Sequence, residues 1–122
     1  MKIKIKDHEI ELKYSLRSFT IYEQLTGTGL NFSEINTIEQ IVTLFFANVL
    51  GSLQKARQPL DITYDDLWDY IDDNGGNKVI TEFSEWFVKQ MEAQNQIAKL
   101  SLKDKSNKDK TNKDNSVEQP KN

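Results

Sequence analysis

The stretch TIEQIVTLFFANVLGSLQKAR, residues 37–57, is the longest run of this chain with few charges. Wound as an α-helix, it brings Ile38, Ile41, Val42, Phe45, Phe46, Val49, Leu50 and Leu53 within about half a turn of arc. An apolar arc that wide needs cover from several directions, so the stretch reads as the central helix of a small domain. Glu39, Gln40, Thr43, Asn48 and Ser52 interrupt it too often for a bilayer span. Thr37 stands as its N-cap, with Gln40 three residues on completing a capping-box pattern. Pro59 forbids its continuation past about Arg57.

Working outward, residues 2–6 alternate Lys-Ile-Lys-Ile-Lys and residues 10–14 alternate Ile-Glu-Leu-Lys-Tyr. Each is a period-two strand with one apolar face. Asp7-His8-Glu9 between them is short and polar, which predicts a β-hairpin over 2–14 turning at those three residues. Ser15 caps a helix over 15–26, with Leu16, Phe19, Ile21, Tyr22 and Leu25 on its inner face, and Gly27 and Gly29 end it. Thr63 and Asp66 begin a third helix over 63–73 with Leu67, Trp68 and Ile71 inward, and Asn74-Gly75-Gly76 stops it. Asn77 caps the last helix, 77–100, with Val79, Ile80, Phe83, Trp86, Phe87 and Met91 on one side. That stripe fades after Met91, so the last turns are expected to protrude. The fold class is α+β, mainly α: a hairpin and four helices packed around the central one, forming a single compact domain over 1–100.

From Ser101 the sequence becomes SLKDKSNKDKTNKDNSVEQPKN, a crude five-residue repeat nearly free of apolar groups. Such a segment cannot offset the entropy of ordering, and 101–122 is expected to be a disordered polar tail. The tail carries six lysines against four acids, while residues 1–100 carry ten basic and fifteen acidic residues. An acidic body repels nucleic acid and anionic membranes at long range, so neither is expected as a partner. The chain has no cysteine, which removes disulfides, thiolate metal sites and a cysteine nucleophile and fits a reducing compartment. Its opening lacks the apolar region of a signal peptide, and a cytoplasmic location is the expectation.

No motif carries catalytic chemistry. Asp61, Asp65, Asp66, Asp69, Asp72 and Asp73 could ligate a hard cation, but DDNGGNKVITE lacks the alternating acids and closing Glu of a calcium-binding loop. A solvated helix face with favourable N-terminal charges is the better reading. His8, the single histidine, lies in a turn without a positioned nucleophile. Thr26-Gly27-Thr28-Gly29 follows a helix and lacks the lysine of a phosphate-binding loop, so it reads as a C-cap. No catalytic, cofactor or metal site is assigned, and the chain is not read as an enzyme. Two strips read as protein interfaces. Leu44, Ala47 and Gly51 fall together on the central helix, away from its main arc, where small residues let another helix approach, either from this chain or from a neighbour. Ala93, Ile97 and Leu100 form a shifted apolar strip on the last helix.

The opening MKIKIKDHEIELKYSLRSFTIYEQLTGTGLNF resembles the start of phage tail assembly chaperones. In that family a short hairpin of the form M-K-I-x-I, then x-E-L-K-Y/F, runs into a helix near S-L-R followed by E-x-x-T-G. The matching residues are Met1 to Ile5, Glu11 to Tyr14, Ser15 to Arg17, Glu23, Thr26 and Gly27. The resemblance covers the first thirty residues or so, and the helical middle, the acidic LWDYIDD segment and the polar tail follow the family in outline. It implies a non-enzymatic protein of a long-tailed phage or prophage. Such a protein binds the tape measure protein, keeps it soluble, helps recruit the tail tube protein, self-associates, needs no cofactor and is absent from the mature virion. It also implies that a longer form can arise by ribosomal frameshift. The alternative reading is a small regulatory or adaptor protein of a mobile element, acting through protein or nucleic-acid binding.

Overall fold

The computed structural model describes the backbone of residues 1–109 and the side chains of residues 1–95. Two strands, β1 (Lys2–Ile5) and β2 (His8–Glu11), precede the helices α1 (Leu16–Thr26), α2 (Ile38–Lys55), α3 (Tyr64–Asp73) and α4 (Asn77–Asp109). A single 3-10 turn, Phe32–Glu34, lies between α1 and α2. The architecture is the expected hairpin followed by four helices.

The strands are antiparallel, with Lys2 opposite Glu11, Ile3 opposite Ile10, Lys4 opposite Glu9 and Ile5 opposite His8. The reversal is therefore at Lys6-Asp7, not at Asp7-His8-Glu9, and His8 belongs to a strand. Parity explains the correction. Residues directly opposite each other share a face of the sheet. A three-residue loop would set Ile10 opposite Lys6 and split the apolar residues between both faces. The two-residue loop puts Ile3, Ile5, Ile10 and Leu12 on one buried face. It also sets lysines against glutamates on the other. Burial of four such side chains contributes about 1.5–3 kcal/mol each, which offsets the marginal stability of a lone hairpin. Lys6 takes the left-handed conformation at φ 56°. Its ammonium reaches Asp66 Oδ2 at 3.0 Å and the Asp61 carbonyl at 3.4 Å, which ties the turn to the start of α3.

Helix starts follow the sequence closely. The Ser15 side chain accepts from the Ser18 N–H at the head of α1, and Gly27 closes that helix at φ 77°. Thr37 with Gln40 and Thr63 with Asp66 form complete capping boxes on α2 and α3. The exception is α4. Asn77 is already helical, and the Gly76 carbonyl accepts from the N–H groups of Val79 and Ile80. Gly76 sits at φ 56° and its N–H donates to the Ile71 carbonyl. Two turns of backbone reversal are thus made by glycines, and no side-chain cap is needed.

Helix α2 is the centre of the core. Between Leu44 and Leu53 every residue is buried except Leu50, which is half-buried. Phe45 stacks on Phe83 of α4 with ring centroids 4.4 Å apart and planes 5° from parallel. Val79, Phe83 and Phe87 form the buried side of α4, Leu67 and Ile71 that of α3, and Ile62 seals the approach to α3. The expected arc was placed too far toward the start of α2: Ile38 is 53% exposed. Leu16 and Leu25 of α1 are also exposed, and Ser18, Ile21 and Tyr22 form the buried line.

Contacts divide the chain into two units, Met1–Val88 and Lys89–Asn122. The first unit ends where the stripe of Val79, Phe83 and Phe87 ends, twelve residues short of the boundary expected at 100. In the second unit α4 runs to Asp109, nine residues past that boundary. Extending an existing helix requires no new nucleus, so a polar sequence can continue one it could not start. The remainder of the expected tail, 110–122, lies outside the described residues.

The Thr63–Asp66 capping box and the Lys6 tie share one carboxylate, which fixes a pH dependence. Asp66 Oδ2 accepts from the Thr63 N–H at 2.9 Å and stands 3.0 Å from Lys6 Nζ. The Thr63 N–H first, and the Lys6 ammonium second, hold its carboxyl below the usual carboxylate range. A carboxyl depressed on folding stabilises in full above its unfolded value, about 3.9, and loses that contribution as pH falls through its folded value. The Tm difference between wild type and Asp66→Asn should therefore be constant from neutral pH to about 4 and shrink below it. A difference that does not change with pH would mean the charge on Asp66 is irrelevant to the fold.

Candidate protein interface

The strip Leu44, Ala47 and Gly51 is not a surface. Leu44 is 4% exposed, Ala47 is fully buried, and Gly51 is buried as well. The second helix that small residues invite is α1 of the same chain. A Cβ built on Gly51 would overlap Ser18 Oγ and lie 3.2 Å from both Cα and N of Ser18. The backbones of α1 and α2 therefore cross at Ser18 and Gly51, where neither side has room for a larger group.

A buried polar line follows this crossing. Ser18 lies fully buried, 3.2 Å from Ser15 Oγ. Next to Gly51 on α2, Ser52 Oγ donates to the Asn48 carbonyl at 2.7 Å and accepts from the Lys13 N–H at 2.8 Å. Asn48 Nδ2 donates to the Leu44 carbonyl at 2.9 Å, while its Oδ1 has no partner among the described residues. These groups sit inside the fold and tie the end of the hairpin to α2.

Of the second strip, Ala93 is exposed on the part of α4 that belongs to Lys89–Asn122. Ile97 and Leu100 are helical in backbone, and their side chains lie outside the described residues.

The structure brings together aromatic residues from the end of the hairpin, α1, the following loop and α4. Tyr14, Phe19, Phe32 and Phe87 form one aromatic cluster, with Phe32 centred 6.1 Å from Phe19 and 5.5 Å from Phe87, and Tyr14 5.2 Å from Phe19. Burial raises the Tyr14 hydroxyl above the ordinary tyrosine pKa, in keeping with this apolar setting. Three apolar residues in the cluster or close in sequence to its members are exposed. Phe32 is itself 39% exposed, Leu16 is 78% exposed one helical turn before Phe19, and Val88 is 44% exposed beside Phe87. The missed signal was Ser18. A small polar residue at the tightest helix crossing turns α1 about its axis and sends Leu16 outward.

A smaller cleft of about 230 Å³ lies among Leu25, Glu39, Thr43, Phe46 and Tyr64. Thr43 and Tyr64 hydroxyls meet across it at 3.3 Å. His8 Nε2 stands 2.9 Å from Asp61 Oδ1, a contact between hairpin and loop. Among the described residues no three His, Cys, Asp or Glu side chains are placed to share a metal ion, and no helix is long and apolar enough to cross a membrane.

No family model matches the chain, and neither a curated protein nor a solved structure matches it.

Core and surface roles separate by mutation. Gly51→Ala gains about 1 kcal/mol of helix propensity but forces an overlap that costs about 1–3 kcal/mol. The net effect in urea unfolding should be destabilising, and Ser18→Ala should relieve part of it in the double variant. Leu16→Ser should change stability by no more than about 0.5 kcal/mol. A stabilised Gly51→Ala would show that the two helices are not in contact there.

Proposed function

We propose that this protein is a non-enzymatic assembly chaperone of the phage tail type. In this reading it acts in the bacterial cytoplasm, binds the tape measure protein through apolar helical faces, keeps it soluble, helps bring in the tail tube protein and is left out of the finished virion. The observation that carries the reading is the aromatic cluster of Tyr14, Phe19, Phe32 and Phe87, in which Phe32 is exposed, with exposed Leu16 and Val88 close in sequence to its members. Aromatic anchors ringed by smaller apolar groups are what an amphipathic helix docks against. The acidic charge of residues 1–100 supports the second half of the task, since a charged partner keeps an aggregation-prone chain in solution. The hairpin that runs straight into α1 agrees with the opening pattern of the family.

The test is co-expression with the tape measure protein encoded in the same genome. Wild type should carry that protein into the soluble fraction and co-purify with it. Leu16→Glu together with Phe32→Glu should lose about 2 kcal/mol or more of binding. Leu16→Glu alone should leave the Tm of the free protein nearly unchanged. An insoluble tape measure protein in the presence of wild type would refute the proposal. DNA binding that weakens steeply with salt would point instead to the adaptor reading.

A further inference from the structure

The hairpin has a second edge, and it is open. The Leu12 N–H donates to the Met1 carbonyl at 2.8 Å, so Leu12 faces β1 with its backbone groups. Backbone direction alternates along a strand. Ile10 and His8 therefore also face β1, while Glu9, Glu11 and Lys13 direct their N–H and C=O groups away from it. The Lys13 N–H obeys this rule, since it donates to Ser52 Oγ on α2 at 2.8 Å. For Glu9 and Glu11 no protein group among the described residues supplies a partner.

Those two residues open onto a cleft of about 440 Å³. Its one wall is β2 and the preceding turn residue, with no residue of β1. Its other wall is the end of α2, at Ser52, Leu53 and Lys55, with Ala56 and Gln58 just beyond. The volume lies in the range of natural ligand sites. Hydrogen-bonding groups at alternate residues along an open strand edge are what β-augmentation uses.

Charge selects the occupant. Asp7, Glu9 and Glu11 line the cleft against Lys13 and Lys55, and the C-terminal carbonyls of α2 add negative potential. The chain itself shows which strand pairs with β2, since β1 sets Lys4 opposite Glu9 and Lys2 opposite Glu11. Two copies joined β2 to β2 would set acid against acid, which is destabilising.

We propose that the outer edge of β2 is a docking site for an extended segment of a partner protein with Lys or Arg at alternate positions, which adds to the hairpin as a third strand. The inference rests on the register of the hairpin and is independent of the chaperone reading. The first residue of such a strand to meet Glu9 gains a backbone pair and a charge pair together, while the Glu11 carboxylate already stands 3.2 Å from the Met1 ammonium.

The experiment titrates the full chain with a fluorescent peptide of sequence KIKIK, blocked at both ends, and follows anisotropy at low salt. Saturable binding is expected at or below about 1 mM. Methylation of alternate peptide nitrogens, which removes the donors but keeps every charge, should weaken it by about tenfold or more in one of the two registers. Glu9→Gln with Glu11→Gln should weaken it as well, and an EIEIE peptide should not bind. Equal affinity of both methylated peptides, or no saturation, overturns the proposal. Size growth of the chain alone that KIKIK reverses would show that a second copy fills this edge, which overturns the assignment to a foreign partner.

Discussion

Two turns of α2 are enclosed on every side, and the rest of the molecule follows from what enclosing them requires. A helix buried all round needs at least three neighbours, and their distances depend on the side chains between them. On one side the aromatic stack of Phe45 and Phe83 keeps α4 a full ring apart. On another, Gly51 and Ser18 allow α1 to touch backbone to backbone. A third side receives the end of the hairpin through the Ser52 hydroxyl. Large residues on one face and small ones on another thus set an uneven spacing, and that spacing decides which side chains are left outside.

The hairpin is fastened at both ends. Lys13 is bound to α2 through Ser52, and Lys6 is bound to Asp66 at the start of α3. Between these ties its apolar face is buried and its charged face is ordered as lysines against glutamates. A two-stranded sheet held in this way presents a rigid edge, and rigidity lowers the entropic cost of adding a strand. The apolar group at Leu16 and Phe32 and the polar cleft at Glu9 and Glu11 are distinct surfaces with different chemical demands.

Much of this fold was legible in the residues. Capping boxes at Thr37 and Thr63, the Ser15 cap and the Gly27 stop are local, since each is satisfied by groups within a few residues. The hairpin was legible too, but not its turn: the polar run Asp7-His8-Glu9 points to a three-residue reversal, and the chain turns at Lys6-Asp7. The candidate interface was not. Leu44, Ala47 and Gly51 look spare when α2 is considered alone, because periodicity shows which residues share a face and not what covers it. Leu16 looks internal because it shares a short amphipathic pattern with Phe19, and only the crossing at Ser18 turns it outward.

The sequence by itself determined the elements: where α1, α2 and α3 begin, that two strands precede them, and that α2 is the most apolar piece. These depend on interactions between residues close in the chain, or on composition. Tertiary structure alone decided how far apart the helices lie, and therefore which apolar residues are core and which are surface. That choice depends on the volumes of side chains from segments more than thirty residues apart, as Ser18 and Gly51 are. Close packing couples such volumes, and a hydrophobic pattern carries no information about them until the segments meet.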